Sequence, residues 1–379
     1  MQSRYRQSET ISPVISRNVF RGALLSSLLL GCFIATGISD SAFSQDTTAA
    51  PQTSESVSPW LIMPGNPSKL PEGVTKPKKV VLVSGDDEYR SEEALPMLAK
   101  ILSEQHGFDT VVLFAINPET GTVDPNYQKN IPGLEHLSDA DVAILFIRFR
   151  QLPDDQMQHF ADFAKRGGSM IALRTATHPF NFPANSESPF ASWSWNSKTW
   201  PGGFGQQLLG ETWHSHHGKH KSESARGVIL DTAKANPILR GVTDLWAPSD
   251  VYGVVHLPST ANVLVQGQVL KGMKPDDAPV EDGRNDPMMP MVWTKDYQLE
   301  DGKIGKVFCS TMCSAVDLLS EDLRRLIVNA TYWAADLENQ IPEKASVNIS
   351  ENYKPSMFGF QKEPNFFKDQ KIQPKDFVQ

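Results

Sequence analysis

The sequence predicts an α/β fold with three layers, in which a mostly parallel sheet carries helices on both faces. Apolar runs of strand length alternate with segments of helical periodicity between residues 79 and 173. Strands that alternate with helices are joined by right-handed crossovers into a parallel sheet. In addition, 40% of the 379 residues are hydrophobic and 21% are charged, as in ordinary globular proteins.

Local patterns place the individual elements. Residues 79–84 contain an uninterrupted apolar run, Val80 to Val83, which is typical of a strand buried on both faces. The first helix is predicted over 91–106, with acidic residues in its first turn and Gly107 after its last. The other predicted strands cover 110–115, 141–147, 169–173, 227–230, 251–257, 262–270, 289–293 and 306–309, and the other helices 154–165 and 321–337. The later strands form a β-rich group in which we expect an antiparallel edge.

The N-terminal residues 1–44 are predicted to be an export signal, so the mature protein is expected in the periplasm or outside the cell. Arginines flank an apolar run over 23–38, and small residues at 42–44 offer a cleavage site. The run is shorter than the ~20 apolar residues of a membrane span, so we expect no stable span after cleavage. Lipidation at Cys32 and a retained N-terminal anchor are the alternatives.

Three further regions follow the signal. Residues 45–75 are rich in Ser, Thr, Pro and Gln and are predicted to be a flexible linker, with order near Trp60. The α/β domain is predicted over 76–338. Residues 339–379 are predicted to be an extended arm across the body or across a neighbouring subunit, which leaves a homo-oligomer open. Cys309 and Cys313 are expected to be buried thiols, with a disulfide as the alternative.

The charge balance excludes several classes of partner. The formal net charge is −8, and Lys and Arg do not cluster in a stripe. Contacts with phosphates and with anionic membranes both need clustered basic residues. We therefore expect a small-molecule ligand and no nucleic-acid partner.

Two loops lie where ligands bind in such folds, beyond the carboxyl ends of parallel strands. The loop 84–90 carries Asp86, Glu88, Tyr89 and Arg90. It is interpreted as a ligand-binding loop, or alternatively as a helix start whose acids favour the helix dipole. The loop 173–180 has neither Cys nor Ser at its turn, and Thr175 is a poor nucleophile without an activating base.

In that second loop, Arg174 is interpreted as an oxyanion partner and His178 as a proton carrier. The alternative for His178 is a structural hydrogen bond to a backbone carbonyl.

A third segment, 211–220, holds four of the nine histidines, His214, His216, His217 and His220. Imidazoles titrate near neutral pH and are common metal ligands, so the cluster allows a divalent metal, a sugar site without metal, or a solvated loop. On a strand, His214 and His216 would share a face and His217 would point the other way. Trp193, Trp195, Trp200 and Trp213 suit either a carbohydrate face or a core, and the irregular stretch 179–202 suits a lid.

Several runs of the chain resemble the trehalose-utilisation (ThuA-like) family, including its secreted planctomycete-type members, over roughly residues 76–370. These runs are 83–93, 174–180, 213–218, 290–294, 311–341 and 353–360. The resemblance implies a flavodoxin-like fold of the class I glutamine amidotransferase type. It also implies a role in sugar metabolism, on oxidised (3-keto) glycosides, with His178, His214, His216 and His217 in one pocket. The elbow lacks the Cys that glutaminase chemistry needs, so that activity is not expected.

The leading hypothesis is an exported enzyme, an isomerase, lyase or hydrolase, that performs acid/base chemistry on a keto-sugar or glycoside. The expected catalytic residues are His178, Arg174, His214 and His216. The expected substrate-binding residues are Asp86, Glu88, Tyr89, Arg90, His217 and Trp213. No cofactor is required by this hypothesis, although a divalent metal is compatible with it. A sugar-binding module without catalysis and a metal-assisted hydrolase using the 214–220 cluster are the alternatives.

Overall fold

A mixed sheet of ten strands organises the protein in the computed structural model, which describes residues 58–363 and 365–377. The predicted export signal and Cys32 lie outside the described residues. In chain order the strands are β1 (Trp60–Met63), β2 (Lys79–Gly85), β3 (Asp109–Leu113), β4 (Ile116–Asn117), β5 (Thr122–Val123), β6 (Val142–Ile147), β7 (Ser169–Leu173), β8 (Ser215–His216), β9 (Ala225–Ile229), β10 (Leu245–Ala247), β11 (Tyr252–Gly253), β12 (Asn262–Val269), β13 (Met289–Tyr297) and β14 (Gly305–Ser310). The α-helices are α1 (Ser91–His106), α2 (Asp154–Lys165), α3 (Glu321–Ala334) and α4 (Phe366–Gln370).

The strand order of the large sheet is β1-β3-β2-β6-β7-β14-β13-β12-β9-β10. Five neighbouring strands of this order, β3, β2, β6, β7 and β14, are parallel, which confirms the predicted α/β class. The other half of the sheet is antiparallel and larger than the single edge expected. Its strands β13 and β14 are joined by a short loop, and strands joined without a crossover helix pair antiparallel.

Helices cover both faces of the sheet. Alternate residues of β2 point to opposite sides: Val80 and Leu82 pack in the core that contains α1 and α3, while Val81 and Val83 pack in the core that contains α2. This burial on both faces is what the uninterrupted apolar run predicts. The three layers are consistent with flavodoxin-like and amidotransferase-like folds.

Most predicted elements overlap a strand or helix of the structure, although several bounds differ and β10 was not predicted. Helix α1 has the predicted bounds, and Gly107 ends it in the left-handed conformation, with φ of 74°. The predicted strand 251–257 is reduced to the two residues of β11. Helix α3 ends at Ala334, three residues before the predicted end at 337.

The segments on either side of the predicted domain lie against it. Trp60–Met63, inside the predicted linker, pairs with β3 as an edge strand. The C-terminal arm, residues 339–377, packs on its own domain: the ring of Phe377 stacks on Phe114 at 5.6 Å, and Val123 N–H donates to the Ile372 carbonyl. Both described cysteines are buried and free, as expected. In the described part of the chain, no helix is long and apolar enough to cross a membrane.

Candidate functional site

The loops that the sequence nominates meet at the carboxyl ends of the parallel strands. Loop 86–90 follows β2, and the short helical turn Arg174–Thr177 follows β7. Segment 211–221 and the chain before β11 lie over them. Ligands of open α/β sheets bind at this edge.

Arg174 is the first residue of the turn after β7, and its φ of 42° is left-handed. For a non-glycine residue this conformation is strained and persists only where the surroundings hold it. The guanidinium lies between the rings of Tyr89 and Tyr252, 4.1 and 4.3 Å from their centroids. It donates to the Asp250 carboxylate over 3.0 Å, and both side chains are fully buried. The result is a rigid ion pair at the floor of the site.

Both Nη atoms of Arg174 are engaged by the protein, whereas its buried Nε has no hydrogen-bond partner among the described residues. Nη1 donates to the carbonyls of Thr311 and Asp250, and Nη2 also donates to the Tyr89 hydroxyl. The expectation that Arg174 meets a substrate oxyanion does not fit this geometry, because the guanidinium is fully buried and both of its Nη atoms donate to protein acceptors. It positions Asp250 instead.

Asp250 contacts two histidines of the site as well as Arg174. Its Oδ2 accepts from His216 Nδ1 over 2.7 Å, and its Oδ1 accepts from His220 Nδ1 over 3.1 Å. Burial alone would raise the pKa of Asp250, but these hydrogen bonds and the charge of Arg174 hold it well below its usual range. The carboxylate is therefore ionised throughout the physiological range.

His220 lies between two carboxylates. Besides Asp250, Glu88 Oε1 is 3.3 Å from its Nε2. The hydrogen bond to Asp250, followed by that to Glu88, raises the pKa of His220 to about 9. Glu88 thus keeps its predicted place at the site, although it contacts a histidine of the protein.

His178 is buried against an aromatic wall. Its ring lies 4.9 Å from Phe149 and 5.8 Å from Trp213, and Nδ1 is 3.1 Å from the Thr177 hydroxyl. Burial and the charges of Arg148 and Arg174 lower the pKa of His178 well below its usual value. Its imidazole is therefore neutral.

Two rings connect His178 with His216. Trp213 lies 5.8 Å from each imidazole, and Tyr252 lies 6.4 Å from His178 and 5.6 Å from His216. Trp195 extends the wall at 5.9 Å from Trp213. These half-buried indoles offer an apolar face beside polar groups.

Trp193, by contrast, packs in the core against Phe180 and Phe204. At least one of the four clustered tryptophans therefore serves as core, as the sequence allows.

Two predicted residues of loop 86–90 turn away from the site. Asp86 is buried, accepts from the Thr175 hydroxyl over 2.6 Å and caps the turn through the Glu88 amide. Arg90 donates to the Gly359 carbonyl in the C-terminal arm. Both side chains are therefore engaged by the protein itself: Asp86 by Thr175 and the backbone of its own turn, and Arg90 by the C-terminal arm.

The four histidines of segment 211–220 do not all lie at the site. His217 Nε2 bonds the Arg284 carbonyl over 2.7 Å on another loop. His214 is exposed, and its ring faces His256 at 6.1 Å. The structure therefore brings His178, His216 and His220 to the site, whereas His214 and His217 lie outside it.

Three residues of the site were missed by sequence reasoning. Asp250 immediately precedes the predicted strand 251–257 and Tyr252 lies inside it; the acid just before the strand was an available signal. Phe358 belongs to the C-terminal arm and packs 5.3 Å from Tyr89 and 5.2 Å from His220. The Gly359 amide also donates to the Glu88 carbonyl over 2.8 Å. The arm thus forms one wall of the site.

Beneath the arm, Glu92 gives the protein a pH-dependent stability. It is 3% exposed, and burial, with the charge of Glu93, raises its pKa to about 8 from 4.5. The folded state keeps this proton where the unfolded chain loses it. The contribution of Glu92 to the free energy of unfolding is therefore complete below pH 4.5. It is lost as the pH rises to about 8, by at most about 1.4 kcal/mol per pH unit.

Glu92→Gln should accordingly remove part of the decline in Tm that the wild type shows between pH 5 and 8. Thermal unfolding at both pH values measures the difference. Glu104→Gln, an exposed position of the same helix, should decline as the wild type does. An unchanged decline in Glu92→Gln would show that Glu92 ionises normally.

Comparison with known protein families identifies the family of this chain. A family model described as "ThuA: Trehalose utilisation" matches residues 79–334. The chain belongs to the ThuA family. The match contains Arg174, His178, His216, His220 and Asp250, whereas the wall residue Phe358 lies beyond it.

Solved structures of ThuA-like proteins are similar to this chain. One from Parabacteroides merdae shares 15% identity and a TM-score of 0.45, covering 76% of this chain and 98% of its own. Another from Bacteroides uniformis shares 14% identity and a TM-score of 0.41, covering 69% and 93%. No curated protein matches the chain.

Proposed function

We propose that this ThuA-family protein is an exported enzyme that transfers a proton on a keto-sugar or a glycoside. Family membership itself gives a role in carbohydrate metabolism. Export rests on the pattern of residues 1–44. We also assign the fold to the class I glutamine amidotransferase type, without its activity: Arg174 stands at the strained elbow after β7, where those enzymes need a Cys.

One arrangement carries the proposal: His178 and the carboxylate-bound His216 border the same two rings, Trp213 and Tyr252. A sugar that packs its C–H face on Trp213 would have an imidazole on either side. Such a pair can serve as an acid and a base on one substrate.

The roles follow from the environments. His178 is neutral and its Nδ1 is taken by Thr177, so its Nε2 can accept a proton from a carbon next to a carbonyl. On the other side, His216 Nε2 can donate to the carbonyl oxygen, with the charge of His220 beside it, and the oxygen takes up the electron pair as an enolate. Asp250 orients both imidazoles, and Arg174 fixes Asp250.

Turnover of 3-keto-glucosides and 3-keto-trehalose tests this assignment. His178→Asn and His216→Gln should each lower turnover by about 10²–10⁴-fold, the usual contribution of an acid or base. His214→Gln is the matched control from the same loop and should retain turnover. Normal turnover in both site variants would contradict the proposal.

The second candidate is a sugar-binding module without catalysis, which the aromatic wall of Trp195 and Trp213 favours. Saturable stabilisation by a sugar that is recovered unchanged after long incubation would select it.

A further inference from the structure

We propose that His216, His220 and Asp250 form a binding site for a divalent transition metal such as Zn²⁺. One ligand atom from each residue lies within 4.8 Å of the others. The inference deepens the proposed function and rests on it for one point only: the ion would be the group that polarises the sugar oxygen.

The three side chains converge with the spacing that a metal requires. His216 Nδ1 is 2.7 Å from Asp250 Oδ2, and His220 Nδ1 is 3.1 Å from Oδ1. Metal–ligand bonds of about 2.0–2.1 Å at tetrahedral angles place neighbouring ligand atoms about 3.3 Å apart. An ion would therefore need each imidazole nitrogen to move away from the carboxylate by only a few tenths of an ångström, while the two imidazole nitrogens, which lie within 4.8 Å of each other, would close to about that spacing.

The donor set and its accessibility match a catalytic metal. Two imidazoles and one carboxylate suit Zn²⁺, Fe²⁺ and related ions. The His216 side chain is 37% exposed, whereas that of Asp250 is fully buried. The ion would thus be anchored by a buried carboxylate and exposed on the side of His216, and a catalytic metal keeps such open positions for water or substrate.

Two residues outside the proposed ligand set already hold the ligands in place. Arg174 donates to Asp250 Oδ1 from the buried side of the site, and Glu88 Oε1 lies 3.3 Å from His220 Nε2. A carboxylate on the second nitrogen of a ligating histidine fixes the tautomer and makes Nδ1 the coordinating atom. Both kinds of support are typical of metal sites.

The local charge favours a cation. Once the ion has displaced the proton of His220, Asp250 and Glu88 carry two negative charges against the single positive charge of Arg174. Arg148 is balanced by Asp87, to which it donates over 2.9 Å. One negative charge is left for the ion to neutralise.

The proposed ligand class of the site follows. A metal with two open positions would take a carbonyl oxygen and a neighbouring hydroxyl oxygen, which a 3-keto-sugar presents together. The proton released from the carbon beside the carbonyl would go to His178, and the electron pair to the carbonyl oxygen.

Metal binding is tested on the full chain without a polyhistidine tag, loaded with Zn²⁺, dialysed and measured by elemental analysis and by competition with a chelator. We expect one Zn²⁺ per chain. His216→Ala and His220→Ala should weaken binding at least about 100-fold, and Glu88→Gln about 10–100-fold. His214→Ala should bind as the wild type does, because the surface pair with His256 lies outside the site.

Substoichiometric Zn²⁺ in the wild type, or binding lost in His214→Ala and kept in His216→Ala, would overturn the inference. Far-UV circular dichroism of each variant verifies that the fold is intact; His216 is exposed enough for its replacement to be tolerated. The assay contains no sugar, so a failure leaves the proposed proton transfer standing. Stoichiometric Zn²⁺ without turnover of any keto-sugar would contradict the proposed function and not the metal site.

Discussion

Asp250→Asn is expected to destabilise the protein by about 3–5 kcal/mol and to reduce turnover strongly. The substitution preserves shape but removes the only carboxylate that pairs with Arg174 among the described residues. A guanidinium left buried and unpaired costs about this much, and far more than an exposed ion pair contributes. His216 and His220 also lose the acceptor that orients them.

Urea unfolding of the two proteins measures the stability change. Asp296→Asn is the matched control, because Asp296 is exposed on β13 and its replacement should change stability by less than about 0.5 kcal/mol. A difference below 1 kcal/mol between Asp250→Asn and wild type would show that the Arg174–Asp250 pair does not hold the site together.

Phe358→Ala is expected to cost about 3–5 kcal/mol of stability, the usual cost of deleting a buried Phe ring. The ring is 2% exposed and packs against Tyr89 and His220. Its loss opens the wall that the C-terminal arm contributes, so turnover should fall as well. Thermal unfolding and the turnover assay check the two effects.

Phe360→Ala provides the comparison two residues further along the arm. Phe360 is 50% exposed and contacts the Arg148 guanidinium at 4.9 Å. Its replacement removes one exposed cation–π contact, worth about 0.5–1 kcal/mol. If the two variants lose the same small free energy of unfolding, the arm is not a structural wall of the site.

Much of the fold is predictable because its parallel half obeys local rules. The run 79–84 is apolar at its four central positions, Val80 to Val83, and Gly107 supplies the left-handed residue that ends α1. The antiparallel half is less predictable, since strand pairing there depends on loop lengths and on partners far apart in the chain. The short β1 depends on pairing with β3, which no pattern in 45–75 specifies.

The location of the site is predictable from the sequence, but the contacts among its side chains are not. The rule that ligands bind beyond strand ends nominates Arg174, His178 and Glu88 from the sequence. It does not say that Arg174 faces inward, between Tyr89 and Tyr252. Nor does it identify Asp250, which lies more than seventy residues from Arg174 and meets it only through the fold.

The histidine cluster illustrates the same limit. Four imidazoles within seven positions suggest a common role, yet only His216 and His220 reach Asp250. The short pairing of β8 with β11 directs His216 to the site, while His217 turns to Arg284. Side-chain direction in such a segment is set by tertiary contacts that sequence spacing does not contain.

The central claim, proton transfer at His178, is tested most directly by hydrogen exchange in D₂O. A 3-keto-glucoside is incubated with the protein, and the ¹H NMR signals of the carbons beside the carbonyl are followed. The wild type should accelerate their loss over the buffer rate, His214→Gln should match it, and folded His178→Asn should be at least about 100-fold slower. Exchange by the wild type at the buffer rate, or equal exchange by wild type and His178→Asn, would contradict the account.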